Sequence, residues 1–335
     1  MAITYAQAGV DVSRTDEIKR GFAEHIGAGA RVLNGLGPFA SLYDISFPEI
    51  KEPVLVLKAE EPGSKQKLAA EHGYLHTIGH DMINHLINDI AVMGARPLAV
   101  LDTVVCGEAD ADALQKIIRG ISEACNANEC ALVGGETSVQ PQVVAPGVFI
   151  LTSTVAGIAD KSKIIDGGAV REGDAVLAVA SNGLHTNGYS LVRALIGREP
   201  NILNEKVCGE TFLEIIMRPH SAYYTAVKDL FGRGVTSMAH ITGGGIAGNL
   251  SRVIPDGLCA EINANAIKTP EIFKFIQSKA AVSNGEMLSA FNCGVGMTVT
   301  AAPADAENII AHIKKSYDCY AIGSVVRGTE KVRIK

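Results

Sequence analysis

Midway along the chain the succession of strand and helix patterns stops at two turn clusters, Asp166-Gly167-Gly168 and Glu172-Gly173-Asp174. Glycine beside aspartate supplies the positive backbone angles and side-chain-to-backbone bonds that reverse a chain. On each side the periodic pattern is long enough to bury a core of its own, and 335 residues are too many for one comfortable core. Two domains are therefore expected, residues 1–168 and 169–335.

Before the break, a strand pattern at 54–57 leads through a polar loop into a helix predicted over Thr77 to Gly94. Its apolar stripe is Ile78, Met82, Leu86, Ile90 and Met93. A strand at 97–105, a helix from Ala111 to Ala127, a strand at 131–135 and a long strand at 148–159 follow. After the break come a strand at 175–181, a helix at 189–197, a helix predicted over Phe212 to Phe231, and a strand ending at His240-Ile241-Thr242. Two late strands flank a helix near Ala304 to Lys315. The alternation is irregular and mixed with hairpin-like spacings, so the expected class is α+β rather than a doubly wound parallel sheet.

Composition narrows the function classes. A formal net charge of −6 without a lysine and arginine cluster gives no footprint for a nucleic-acid backbone. No apolar run approaches the roughly 18 residues of a membrane span, and the start lacks a basic segment followed by an apolar one. A cytoplasmic protein with neither membrane nor nucleic acid as partner is expected. The seven cysteines are scattered without a CxxC pair and read as small buried hydrophobes.

Four places carry polar residues in patterns that chemistry can use. On the first long helix Asp81, His85 and Asp89 follow one another at four-residue steps, with Asn88 beside them. Such a line of carboxylates suits Mg²⁺, and a solvated helix face is the competing explanation. Leu132-Val133-Gly134-Gly135-Glu136-Thr137 ends a strand in glycines that admit a ligand close to the backbone, or simply make a turn. The loop from Ser181 through His185, Thr186 and Asn187 to Gly188 could cradle an anion at a helix start, with His185 as an acid or base, or be an ordinary capped loop. His240-Ile241-Thr242-Gly243-Gly244-Gly245 again leads from a strand to a helix. Gly243, Gly245 and Gly248 match GxGxxG with Glu261 downstream, but the motif falls too late for a dinucleotide fold to be completed after it.

In this order and spacing the blocks resemble the AIR synthetase family, the phosphoribosylformylglycinamidine cyclo-ligases. The matching segments span residues 5–12, 35–44, 51–56, the helix with Asn88 and Asp89 running on to Asp102, 132–137, 161–167, 171–193, 240–258 and 291–297. The resemblance implies two α+β domains, with N-terminal sheets paired across a homodimer and a C-terminal mixed sheet flanked by helices. It implies MgATP at the N-terminal domain, with Glu60, Lys65, Asp89, Gly134, Gly135 and Glu136 binding ATP and with Asp81, Asp89 and Glu136 as metal ligands. It further implies a ribonucleotide substrate held by Thr186, Asn187, Thr242 and Gly243, with His185 or His240 transferring the proton.

The chain departs from the family where Asp-Gly-Val-Gly-Thr-Lys is usual and it has Glu60-Glu61-Pro62-Gly63-Ser64-Lys65. After Thr137 it reads Ser138-Val139-Gln140-Pro141-Gln142, so one acid expected of the family is missing. Because these changes fall on the ATP side, a non-catalytic nucleotide-sensing paralogue stands as an alternative. Another is a different ATP-using member of the superfamily, such as a small-molecule kinase.

Overall fold

A computed structural model describes residues 12–27, 29–35 and 38–335. The family block at 5–12 lies outside the described residues except for Val12, and the block at 35–44 lacks 36 and 37. The chain divides into two compact units. One runs up to Ile90 and from Arg96 to Ile158; the other comprises Ala91–Ala95 and Ala159–Lys335. Among the described residues no helix is long and apolar enough to cross a membrane.

The first unit contains α1 (Val12–Arg20), β1 (Pro53–Glu60), α2 (Lys65–Glu71), α3 (Leu75–Ala91), β2 (Arg96–Cys106), α4 (Ala111–Ala127), β3 (Ala131–Val139) and β4 (Phe149–Asp160). Its sheet has the order β1-β4-β2-β3, with β2 parallel to β3 and antiparallel to β4. The parallel pair needs a crossover, which α4 provides. This helix begins where the Asp110 side chain accepts the Ala113 N–H at 3.1 Å. The predicted stripe on α3 is buried from Ile78 to Ile90, while Met93 lies beyond the helix and is exposed. Ile83 and Ile87 are equally buried, so α3 is a core helix rather than a surface one. Two glycines let it approach α4 backbone to backbone. A Cβ on Gly79 would lie 2.6 Å from the Ile121 nitrogen, and one on Gly120 would overlap the His76 carbonyl oxygen. The opposite face of the sheet is apolar and open: Leu55, Leu57, Leu101 and Ile150 are all exposed.

The second unit contains β5 (Ala175–Ala180), α5 (Tyr189–Arg198), the two-residue strands β6 (Lys206–Val207) and β7 (Glu210–Thr211), α6 (Phe212–Ile216), α7 (Tyr224–Val227), β8 (Val235–His240), α8 (Gly245–Leu250), β9 (Leu258–Ile262), α9 (Glu271–Ala280), α10 (Asn284–Ala290), β10 (Val295–Ala301), α11 (Pro303–Ile313), β11 (Cys319–Arg327) and β12 (Val332–Ile334). The main sheet runs β12-β9-β11-β5-β10-β8. Its strand pairs are antiparallel except β12 with β9, which is parallel. These mixed sheets with flanking helices are the α+β class expected. An antiparallel sheet also removes the dinucleotide reading of Gly243, Gly245 and Gly248, which requires parallel strands. Glu261, the would-be ribose acid, is occupied by Lys335 at 2.6 Å.

One predicted element is corrected. The single helix expected from Phe212 to Phe231 is two short ones, because Pro219 has no N–H to donate and restricts the residue before it. The chain is extended or irregular from Arg218 to Ala222, which frees His220 and Ser221 from any helix.

The contact at Gly120 makes a specific prediction. Gly→Ala in a helix interior gains up to about 1 kcal/mol of propensity, whereas forcing atoms into packed space costs about 1–3 kcal/mol. Gly120→Ala should therefore lower the thermal midpoint of the chain. Gly197→Ala should raise it slightly, since that glycine lies in α5 with no neighbour near its missing Cβ. Paired melting curves decide this, and equal midpoints would refute the tight helix contact.

Candidate active site

Both β5 and β8 run antiparallel to β10, which lies between them, so they point the same way. The loops that follow them, 181–188 and 241–244, consequently leave the sheet at one edge. The segment that enters β10 reaches the same edge and fastens the first loop. The Asn292 side chain accepts from Ser181 Oγ at 2.9 Å and donates to the Gly183 carbonyl at 2.9 Å. Asn249 fastens the second loop, donating to the Gly245 carbonyl at 2.8 Å and the Thr242 carbonyl at 3.2 Å. The Asn187 amide oxygen lies 3.9 Å from where a Cβ on Gly243 would sit, so the two loops face each other. Thus His185, Thr186, Asn187, His240, Thr242 and Gly243 are brought to one place.

His185 sits there with φ of 58°, a left-handed conformation that costs a non-glycine residue of order 1 kcal/mol. Its ring stacks on His220 at 4.0 Å between centroids. His220 Nε2 in turn lies 2.8 Å from His240 Nε2. All three rings are buried. Zinc bonded at about 2.0–2.1 Å tetrahedrally would hold two ring nitrogens roughly 3.3 Å apart. The 2.8 Å contact is instead a hydrogen bond, in which one imidazole donates and the other accepts, an arrangement suited to passing a proton. His185 Nε2 is 3.3 Å from Ser221 Oγ, and Thr186 Oγ1 is 3.4 Å from His220 Nδ1. Tyr223 donates to the Ala180 carbonyl at 2.9 Å. Gly296 admits Tyr223 and His185 together, because a Cβ there would overlap the Tyr223 hydroxyl and lie 2.8 Å from His185 Cε1.

In the first unit the residues expected at ATP and metal fall into three groups. Glu60 and Asp89 meet at the Lys58 ammonium, 2.9 Å and 3.0 Å away, with His85 Nε2 at 3.7 Å from Glu60 and 3.9 Å from Asp89. Two carboxylates around one cation are the hard-oxygen donor set that Mg²⁺ takes, so these residues fit that ion. Lys65 and Asp81 form a separate pair, 2.8 Å apart and both without solvent exposure. The expected solvated line of Asp81, His85 and Asp89 is thus an interior feature, with Asp81 turned to Lys65. Burial pushes the Lys65 ammonium below its usual range despite that partner. Deleting one member of such a pair costs about 3–5 kcal/mol.

The third group is on β2 and β3. Asp102 pairs in register with Gly135, and a Cβ on Gly135 would overlap the Asp102 carbonyl and carboxylate oxygens. Glu136 is exposed and meets Lys19 at 3.2 Å. A cavity of about 860 Å³ opens here, lined by Asp102, Gly135 and Glu136 and, from α1, by Asp16, Lys19 and Arg20. A neighbouring one of about 610 Å³ adds Gly134, Tyr43 and Leu57. The structure does not gather Asp81, Asp89 and Glu136 around a single point: each faces a different lysine.

Lys58, Asp102, His220 and Ser221 were not singled out from the sequence. Lys58 could have been, since it shares the face of β1 with Glu60 at a two-residue step. His220 was hidden inside an apparent helix, with Pro219 as the overlooked signal.

The N-terminal domain model of the AIR synthase related proteins matches residues 50–159, and the C-terminal domain model matches residues 171–335. A phosphoribosylformylglycinamidine cyclo-ligase from Xanthomonas oryzae pv. oryzae is 38% identical, over 99% of this chain and 100% of its own. One from Burkholderia cenocepacia is 39% identical, over 96% of this chain and 93% of its own. Among solved structures, hydrogenase maturation protein HypE in complex with ATP superposes with a TM-score of 0.70 at 18% identity, covering 98% of this chain and 92% of that one. The HypE likeness is one of fold. The two-unit fold and the matched domain models define an AIR synthase related protein, and within that class the chain belongs to the phosphoribosylformylglycinamidine cyclo-ligase family.

Asp102 generates a pH prediction. Burial pushes its carboxyl up to about 7, and Glu136 adds repulsion, although a backbone hydrogen bond opposes both. A raised acid favours the protonated folded state. Its stabilising contribution is present below the unfolded value of about 3.9 and is lost as pH rises through about 7. In metal-free protein Asp102→Asn should gain on wild type by a few kcal/mol, in order of magnitude, between pH 5 and 8. Melting midpoints across that range test this, and a difference that does not change with pH would contradict it.

Proposed function

We propose that the chain is an ATP-dependent cyclo-ligase that converts formylglycinamidine ribonucleotide to aminoimidazole ribonucleotide, releasing ADP and phosphate, in de novo purine biosynthesis. The observation that carries this reading is the meeting of His185, Thr186, Asn187, His240, Thr242 and Gly243 at one sheet edge, in a chain that belongs to the cyclo-ligase family over nearly its whole length.

The formyl oxygen of the substrate attacks the γ-phosphorus and ADP departs. A nitrogen of the amidine then attacks the activated carbon and gives up its proton, phosphate leaves with the former formyl oxygen, and loss of the formamide N–H proton with transfer of one methylene hydrogen to the exocyclic nitrogen gives the aromatic ring. Catalysis of this kind is mostly positioning and charge neutralisation. In this reading Thr186, Asn187, Thr242 and Gly243 hold the ribonucleotide. The hydrogen-bonded pair His220 and His240, with His185 stacked on it, takes up the proton.

The first unit handles the nucleotide. Lys19 and Arg20 suit phosphate oxygens, while Gly134, Gly135 and Glu136 line the cavity walls. Mg²⁺, when bound, supplies neutralisation of phosphate charge. Glu60 and Asp89 would hold it, while Glu136 stands apart at Lys19. Lys65 and Asp81 stand behind these residues as a buried pair that fixes α2 against α3. Residues 1–168 accordingly form the ATP-binding and dimerisation half and 169–335 the substrate half. The apolar outer face of the first sheet supports a homodimer, since Leu55 and Leu57 are each 64% exposed.

The decisive experiment is an assay for aminoimidazole ribonucleotide formation from formylglycinamidine ribonucleotide and ATP. Wild type should turn over. Asp89→Asn should lose at least about 100-fold in kcat/KM, and His240→Ala about 10²–10⁴-fold. Tight ATP binding without turnover in wild type would favour the sensing paralogue, which Glu61 in the loop before Lys65 motivates. For the assembly, Leu57→Asp should convert a dimer to a monomer in light scattering after size exclusion; a wild-type monomer would end that part of the proposal.

A further inference from the structure

Among the described residues the proposed chemistry leaves one cluster of ligating side chains unused. His76 and His80 stand one turn apart on α3, and Glu123 faces them from α4. Glu123 Oε2 lies 2.8 Å from His76 Nε2 and 3.5 Å from His80 Nε2. One ligand atom from each residue falls within 4.8 Å of the others. Glu123 Oε1 meanwhile accepts from Arg119 Nε at 2.8 Å, which orients the carboxylate and leaves Oε2 toward the imidazoles.

We propose that His76, His80 and Glu123 form a binding site for a first-row divalent transition-metal ion of the Zn²⁺ class, with water completing its coordination. Two imidazole nitrogens and one carboxylate oxygen form a donor set that suits Zn²⁺, whereas Mg²⁺ prefers oxygen alone. The backbone beneath the site is rigid, because Gly79 and Gly120 bring α3 and α4 into direct contact beside His76. Bonds of about 2.0–2.2 Å place neighbouring donors roughly 3.3 Å apart. The shorter of the two contacts must therefore open and the longer close by a few tenths of an ångström. The side chains are 39%, 23% and 41% exposed and have room to do so, unlike the buried histidines of the second unit. A bound ion would tie α3 to α4, and α3 also carries Asp81 and Asp89.

The test is a Zn²⁺ titration of the full chain, stripped with chelator, against a chromophoric zinc indicator near pH 7.5. Wild type should take up one tight equivalent that excess Mg²⁺ does not displace, and its melting midpoint should rise with Zn²⁺. His76→Ala with His80→Ala should weaken that binding by at least about tenfold and abolish the midpoint shift. If that double variant fails to fold, Glu123→Gln carries the same comparison. No tight uptake by wild type would overturn the proposal, as would unchanged affinity in folded variants.

Discussion

The placement of the second unit's chemistry rests on one strand. All seven residues of β10 are buried, and it hydrogen-bonds antiparallel to β5 on one side and β8 on the other. Without that register the loops after β5 and β8 would not share an edge, and His185 and His240 would not both reach His220. The strand also contributes by what it lacks. At Gly296 any side chain would displace the Tyr223 hydroxyl and press on His185. A left-handed His185 is tolerated because the surrounding contacts over-determine it: the ring is stacked on His220 and the loop is pinned through Asn292.

The first unit solves a different problem, that of holding several carboxylates close to one another. Each acid expected at the nucleotide has a lysine: Lys58 for Glu60 and Asp89, Lys65 for Asp81, Lys19 for Glu136. The exposed pair at Glu136 is weak and exchangeable, as surface ion pairs are. The buried pair at Asp81 is not, since either charge alone in that interior would be heavily penalised. Asp102 has no lysine partner among the described residues, and its carboxyl is the one pushed up to about 7. Among these acids, the one without a neighbouring lysine is the one whose carboxyl is pushed up by burial.

Much of this was legible from local pattern. The helix from Ala111 to Ala127 has the expected bounds because Asp110 caps it and its apolar face is strongly periodic. The loop residues of the second unit were identifiable by type, since hydroxyls, amides and imidazoles crowd between a strand and a helix. Long-range pairing was not legible. Nothing in the Asp81, His85, Asp89 spacing reveals that α3 is covered on nearly every side, or that Lys65 turns inward to meet Asp81. His220 was lost because apolar periodicity around it outweighed a single proline.

Lys58 shows how the departure at 60–65 can be compatible with nucleotide use. Glu60 reaches one methylene farther than the family's aspartate, and on β1 that extra reach brings its Oε2 to the same ammonium that Asp89 touches. The two acids would otherwise repel at close quarters, and each like-charge contact would cost more where Glu60 and Asp89 are only about one-fifth exposed. Lys58 removes that penalty, and its flexible four-carbon stem would let it make room for a divalent cation held by Glu60 and Asp89. The backbone N–H of the acidic Glu61, which the sequence makes suspect, donates to Glu60 Oε1 at 3.1 Å and so steadies that carboxylate. The substitution then changes how the Glu60 and Asp89 carboxylates are held, without removing them.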